Sequence, residues 1–339
     1  MIAAAIAKLI ARTDLTEEEM AGVMTAIMSG TVSAAQMAAF LVAMRMKGES
    51  VTELTAAARV MRAMAEKLDG DPGTEGLLLD TCGTGGDSMT TFNISTVACF
   101  VIAGSGVKVA KHGNRAVSSS CGSADLMQAL GVKVELPPAR VRECIEHVGM
   151  GFLYAPFFHR AMKHAAPVRK EVGVRTIFNL LGPLTNPARA GAQLLGVYTD
   201  ELTEIFARVL MNLGCGHALI VHGVDGLDEI TITGTTRITE VRRHEMRTYS
   251  FDPQSLGMKL GRMEDLISRG IDDNLAMCRE VLAGGGGARR DIVLLNSAAG
   301  LIAAGRAADF RQGIALAAET IDSGRARTVL DRLVDFTNG

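Results

Sequence analysis

Gly83, Thr84, Gly85, Gly86 and Asp87 lie just beyond the apolar run Leu77 to Leu79. A glycine loop behind a strand lets backbone N–H groups approach an oxyanion, and ligands gather at the carboxyl ends of strands in α/β sheets. Thr90 to Thr96 then leads into an apolar stretch, so Asn93 or a neighbour is expected to cap a helix whose N-terminus faces the same mouth. A tight turn followed by an ordinary cap would use the same residues; the two elements in succession favour a pyrophosphate ligand. Lys111, His112, Gly113, Asn114 and Arg115 end the next apolar run, which puts two cations, an imidazole and an amide within a short span. Ser118, Ser119, Ser120 and Ser123 add hydroxyls and another helix start. A solvated basic turn is the plainer reading. Three anion-ready loops behind consecutive strands suit a substrate with both a terminal phosphate and a pyrophosphate, whereas a dinucleotide fold usually devotes one loop to its phosphates. Asp228 and Glu229 follow the apolar run Leu219 to Val221, and adjacent carboxylates on a loop suit Mg²⁺ shared with phosphate oxygens, or else a solvated acidic turn.

Helices and strands must bring these segments together. The first 70 or so residues read as a helical bundle, because Thr16/Glu19, Ser33/Gln36 and Ser50/Glu53 each pair a hydroxyl with an acid or amide three positions on, and Gly30, Gly48 and Gly70 supply stops. The stripe Met20, Met24, Met28, Met37, Phe40 and Met44 reads as packing. From Gly76 short apolar runs alternate with Gly-rich turns and helices: Leu77 to Leu79, Val107 to Ala110, Phe152 to Tyr154, Leu194 to Tyr198 and Leu219 to Val221. That alternation predicts an α/β sheet, mostly parallel, with helices at 123–130, 138–147, 201–212 and 273–282 and two more near the C-terminus. Arg237 to Phe251 alternates as an exposed antiparallel strand or hairpin at the sheet edge, and Gly284 to Gly287 reads as a surface connection because no strand precedes it.

Composition narrows the partners. A chain of 339 residues with 48% hydrophobic and 21% charged residues has material for a large core, and its formal charge of -2 offers no broad cationic field for nucleic acid or an anionic membrane. Six scattered cysteines form no CxxC pair, which fits reduced thiols and a cytoplasmic protein. Residues 1–12 lack a basic export segment, and the longest apolar stretch, Phe92 to Ala110, contains Asn93, Ser95, Thr96, Ser105 and Lys108, so neither export nor a membrane span is expected.

At these motifs the chain resembles the anthranilate phosphoribosyltransferase family. The resemblance covers nearly the whole chain and rests on five motifs in family order: Gly83 to Asp87, Asn93 to Thr96, Lys111 to Arg115, Val168 to Glu171 and Arg175 to Pro187. It implies transfer of the phosphoribosyl group of 5-phosphoribosyl 1-pyrophosphate to anthranilate, in tryptophan biosynthesis, with Mg²⁺ as cofactor, two ions being expected. It implies a small helical domain, residues 1–72 joined by about 165–187, and a larger α/β domain with a mostly parallel central sheet, residues 73–164 and 188–339, of the nucleoside phosphorylase and phosphoribosyltransferase type. A homodimer through the helical domain is expected. Carried over position by position, donor-site residues are Gly83, Gly86, Asp87, Thr91, Asn93, Ile94, Ser95, Thr96, Lys111, His112, Gly113, Asn114, Arg115, Ala116, Val117, Ser118, Ser119 and Ser123. Gly83, Asn114, Arg169 and His159 would meet anthranilate, and Ser95, Asp228 and Glu229 would hold metal. Arg169 suits the anthranilate carboxylate by its guanidinium fork, and His112 is the candidate proton acceptor, although a neutral aromatic amine requires no general base. Ser88, Ala116, Ser120 and Arg160 depart from the family pattern and bear on donor affinity. A pyrimidine nucleoside phosphorylase, which shares the general fold, is the nearest alternative; Arg175 to Pro187 and the Asp228/Glu229 pair favour the transferase. A nucleic-acid-binding relative would require a basic groove.

Overall fold

The computed structural model describes residues 1–68, 78–86, 89–116 and 121–339. Four helices come first: α1 (Ile2–Ile10), α2 (Glu17–Met28), α3 (Ala34–Lys47) and α4 (Val51–Met64). Thr16 and Ser50 accept from the N–H of Glu19 and Glu53, whose carboxylates answer at the cap N–H, so α2 and α4 start on full capping boxes. Ser33 accepts from Gln36 N at the start of α3, but the Gln36 side chain meets the serine hydroxyl instead of closing a box. The Met and Phe stripe is wholly buried inside this bundle, as packing requires. Glu53 is buried too, and accepts from Leu15 N at 2.9 Å and Lys47 Nζ at 2.8 Å, a pair that pins the α1–α2 turn to the start of α4.

The described residues form seven strands, β1 (Leu79–Gly83), β2 (Val109–Gly113), β3 (Met150–Tyr154), β4 (Ala192–Gly196), β5 (His217–Gly223), β6 (Thr236–Arg242) and β7 (Glu245–Phe251), in the order β3-β2-β1-β4-β5-β6-β7. The first five in chain order run parallel; β6 and β7 close the edge as an antiparallel hairpin. Helices α5 (Ile94–Gly104), α6 (Ser123–Ala129), α7 (Pro138–His147), α8 (Ala155–Phe158), α9 (Ala166–Val172), α10 (Ile177–Leu181), α11 (Leu202–Asn212), α12 (Ile271–Leu282), α13 (Ala288–Ala303), α14 (Phe310–Asp322) and α15 (Arg325–Asn338) connect and cover them. Three helices end the chain where the apolar pattern gave two, because α14 and α15 are parted only by a short turn through Gly324, φ 75°, which the periodicity bridges.

Two cores flank the sheet. On one face Leu79, Val109, Leu194 and Leu219 pack against α5 and α13, and both helices are apolar nearly all round because neighbours enclose them. On the other face Leu195, Val197, Ala218 and Ile220 pack with α11 and the N-terminal bundle. Ala165, Val168, Ile177, Phe178, Leu181 and Leu184 of the 165–187 segment join this second core. Strand order reverses between β1 and β4, since β2 and β3 lie to one side and β5 to the other. The loops after β1 and β4 therefore diverge and leave a crevice at the carboxyl edge.

Candidate active site

The glycine loop leaves β1 at that crevice, where Thr84 N donates to Gly196 O at the end of β4 (2.9 Å). The loop between β5 and β6 crosses above it. Asp228 Oδ2 accepts from Gly85 N (2.8 Å), and Glu229 Oε1 accepts from Ser95 N (3.1 Å) in the first turn of α5. Two acids that are remote in sequence thus meet the glycine loop and the helix N-terminus, where a positive dipole end favours anions. Close approach is possible because two strands end on glycine: a Cβ on Gly196 would collide with the Asp228 carbonyl, and one on Gly83 with the Asp228 carboxylate. The acid loop is pinned as well. Asp225 accepts from the Thr231 and Thr233 hydroxyls, and Asn296 of α13 brackets Ile230 with bonds of 2.9 Å to both its N–H and its carbonyl.

Lys111 points inward, 2% exposed, and donates to Thr81 O (2.8 Å) and Ser95 Oγ (3.3 Å). Its charge therefore lies under the start of α5, beside the same Ser95. Beneath it Asp80 is fully buried, accepting from His112 N (3.2 Å) and Gln193 Nε2 (3.5 Å). Burial raises the Asp80 pKa against the opposing effects of Asn186 and Lys111. Lys111, His112 and Gly113 are residues of β2 itself, not of a loop behind it, so the basic cluster expected from sequence is divided. Arg115 turns outward to the Tyr154 hydroxyl (3.0 Å), Asp125 (3.4 Å) and Glu135 (3.7 Å). Asn114 accepts at its carbonyl from Ala124 N (3.1 Å) and the Ser123 hydroxyl (3.4 Å), and Ala116 N donates to Asp125 Oδ2 (2.9 Å), which fastens this loop to α6.

The start of α5 also differs in detail from its expected form. Asn93 occupies the cap position but makes no side-chain cap bond, because Asn274 of α12 engages both its N–H (3.1 Å) and its Oδ1 (2.8 Å). Thr91 bridges to Ile267, while Ile94 and Thr96 are buried and the Thr96 hydroxyl has no hydrogen-bond partner among the described residues. Gly86, φ 77°, presents its carbonyl to the Arg175 guanidinium, which lies 4.5 Å over the Tyr198 ring. Asp87, Val117, Ser118 and Ser119, with Ser88 and Ser120, lie outside the described residues. Arg160, one of the departures from the family pattern, is exposed and pairs with Glu66 at 3.5 Å.

His112 and His159 stack obliquely, with ring centroids 5.1 Å apart. Burial, aided by the other imidazole, lowers the His112 pKa to about 3, and burial lowers that of His159 to about 4. Both are neutral at pH 7, and neither His112 Nε2 nor either His159 nitrogen has a hydrogen-bond partner among the described residues. A pKa of about 3 makes His112 a weak base, which argues against the proton-acceptor role read from sequence. Arg169 on α9 lies 5.2 Å over the Phe178 ring; burial lowers its pKa, and its guanidinium has no acceptor among the described residues. It makes no hydrogen bond to Asn114 or to either histidine.

Three residues that hold this arrangement carried no motif: Gly196, Asn296 and Asn274. The only available signal was a glycine at the end of a strand, an amide within the apolar stretch of α13 and an amide in the first turn of the amphipathic α12. The donor set of Asp228, Glu229 and the Ser95 hydroxyl consists of hard oxygens on separate elements, which suits Mg²⁺ and not zinc or copper. No group of three or more His, Cys, Asp or Glu side chains placed to hold a metal ion occurs among the described residues.

Residues 3–65 match the family model for the glycosyl transferase family helical bundle domain, and residues 75–327 match that for the glycosyl transferase family a/b domain. The anthranilate phosphoribosyltransferase of Acetivibrio thermocellus is 50% identical over 338 residues, covering 100% of this chain and 97% of the relative. The chain belongs to the anthranilate phosphoribosyltransferase family. The Symbiobacterium thermophilum member is 54% identical, across 96% of this chain and 94% of its own. Among solved structures, the Thermus thermophilus member superposes with a TM-score of 0.91 at 46% identity over 99% of both chains. A Saccharomyces cerevisiae member in complex with PRPP and Mg, 28% identical, gives 0.90 over 99% of this chain and 98% of that one. The helical bundle followed by an α/β domain is the architecture of this family.

Proposed function

We propose that this protein transfers the phosphoribosyl group of 5-phosphoribosyl 1-pyrophosphate to the amine of anthranilate, giving N-(5-phosphoribosyl)anthranilate and pyrophosphate in tryptophan biosynthesis. The observation that carries the reading is the convergence of Asp228 and Glu229 on the glycine loop and on Ser95 at the α5 N-terminus. Pyrophosphate fits beside the N–H groups of that loop, with Lys111 beneath. Asp228, Glu229 and Ser95 would hold Mg²⁺, two ions being our reading of the paired acids. When bound, the metal neutralises charge on the departing pyrophosphate.

In the reaction the bond from the anomeric carbon to pyrophosphate oxygen breaks and a bond to the anthranilate nitrogen forms. The chain's own contribution is to place the amine against that carbon and to set the positive end of α5 and the Lys111 ammonium beside the leaving group, while Asp228 and Glu229 hold the Gly85 and Ser95 N–H groups. Arg169, lacking an acceptor and backed by Phe178, suits the anthranilate carboxylate, with Gly83 and Asn114 bordering the acceptor. His112 and His159 supply neutral polar walls to that pocket. The new N–C bond leaves an acidic N-protonated aryl amine, so its proton needs only a weak acceptor, such as water. Asp87 and Val117 to Ser119 belong to the same donor site in this reading. Ile10, Val42 and Met46 leave apolar surface on α1 and α3, which supports a homodimer through the helical bundle. No helix among the described residues is long and apolar enough to cross a membrane, and we place the enzyme in the cytoplasm with its six free cysteines.

Mixing the protein with anthranilate, phosphoribosyl pyrophosphate and Mg²⁺ should remove anthranilate fluorescence, and EDTA should stop the loss. Phosphate-dependent cleavage of thymidine or uridine, with anthranilate untouched, would overturn the reading in favour of a nucleoside phosphorylase.

A further inference from the structure

The amino-terminal edge of the sheet, opposite the crevice, holds a cationic pocket. It lies where the last turns of α4, the segment leading into β4 and the end of α11 come together, with a volume of about 220 Å³ and a lining of Arg59, Arg62, Ala63, Arg189 and Leu213. Water's share of liquid is about 30 Å³, so the pocket has room for a small polyatomic ion. Its charges are poorly matched. Arg59 is paired with Glu17 and also donates to Asn212 O (3.0 Å). Arg62 is part-buried and spends only its Nε, on Leu184 O (2.7 Å). Arg189 donates through its side chain to no described residue, and neither Arg62 nor Arg189 forms an ion pair among the described residues.

Arg59 and Arg189 are exposed at the pocket's rim and only Arg62 is part-buried, and a charge drawn partly out of water is ordinarily paired. The carboxylate that Arg62 senses, Asp80, also faces Lys111 and is bonded to His112 N and Gln193. The C-terminal end of α4 contributes roughly half a negative charge, against two guanidinium groups. Arg189 also keeps a left-handed backbone, φ 50°, where glycine or asparagine would be less strained.

We propose that Arg62 and Arg189, with Arg59 at the rim, form a second anion site, separate from the donor site, for a small phosphate-class oxyanion. Forks approaching from α4 and from the β4 lead-in suit a tetrahedral anion with several acceptor oxygens better than a planar carboxylate, which a single fork saturates. A bound anion would tie the helical bundle to the segment entering β4. Two sources share this chemistry, orthophosphate and the pyrophosphate released by transfer.

The test is the melting temperature of the whole protein against phosphate, and separately against pyrophosphate, at ionic strength held constant with chloride. Ala63→Glu places a carboxylate in the pocket, Ala63→Gln fills the same space without charge, and Arg189→Gln removes one fork. Wild type should gain Tm with phosphate. Arg189→Gln should need about tenfold more phosphate for the same gain, as expected on losing a charged hydrogen bond. Ala63→Glu should melt higher than both wild type and Ala63→Gln in phosphate-free buffer and lose the pocket's share of the response. Anion bound at the donor site contributes equally to all four proteins and cancels in the comparison, so the result does not depend on the proposed reaction. The anion that acts at lower concentration identifies the source. Identical phosphate responses in wild type, Ala63→Glu and Arg189→Gln, or no response in wild type, would overturn the site.

Discussion

Replacing Gly196 by alanine should damage catalysis through the metal-binding acids while leaving the fold intact. The added methyl would stand against the Asp228 carbonyl and 3.0 Å from its Cα, well inside ordinary carbon contact. Gly196 is fixed in the middle of the sheet by β1 and β5, so the 228 loop must yield by roughly an ångström or more. Overpacking of this kind costs about 1–3 kcal/mol in stability, which a chain with two large cores should survive. A 1 Å misplacement of reacting groups costs about 100-fold in rate, equivalent to about 2.7 kcal/mol of barrier. Loss of anthranilate fluorescence, followed across a Mg²⁺ titration, should show kcat/KM for the donor down by about that factor and the Mg²⁺ midpoint shifted upward. KM for anthranilate should change little. A folded Gly196→Ala protein with wild-type Mg²⁺ dependence would refute the argument that this glycine sets the position of Asp228 and Glu229.

Arg169→Gln should raise KM for anthranilate by about 10- to 100-fold, the value of a charged hydrogen bond, with KM for the donor unchanged; steady-state kinetics in both substrates checks this. Glu53→Ala should destabilise the protein by about 1–3 kcal/mol in urea unfolding, because it leaves Leu15 N and Ser50 N without their acceptor while Lys47 keeps Asp14, and both KM values should hold. Stability should fall as pH drops below 6.5, the ordinary imidazole value. The unfolded chain then binds protons that the folded chain refuses until about 4 at His159 and about 3 at His112. Tm measured from pH 7 to pH 4 should therefore decline less steeply in His112→Gln than in wild type.

The sequence alone determined the local features of this protein. The helix starts at Thr16, Ser33 and Ser50 were legible because a cap is decided within four residues, and the sheet was legible because apolar runs alternated with glycine turns. The edge hairpin was read no further than strand or hairpin, since its turn at Arg243 and His244 takes positive φ without glycine. The motif order was enough to recognise the family. Tertiary structure decided how those motifs face one another. Lys111 and Arg115 look equivalent in sequence, yet Lys111 lies inside β2 and is buried under Ser95, whereas Arg115 lies past the strand's end, in the loop that turns to Asp125 and Glu135. Asp228 meets Gly85 across more than a hundred residues because strand order reverses between β1 and β4 and because two glycines leave room. The uncompensated arginines at the opposite edge have no sequence signature either. Burial and charge balance depend on which distant elements pack together, and a single chain of letters does not carry that information.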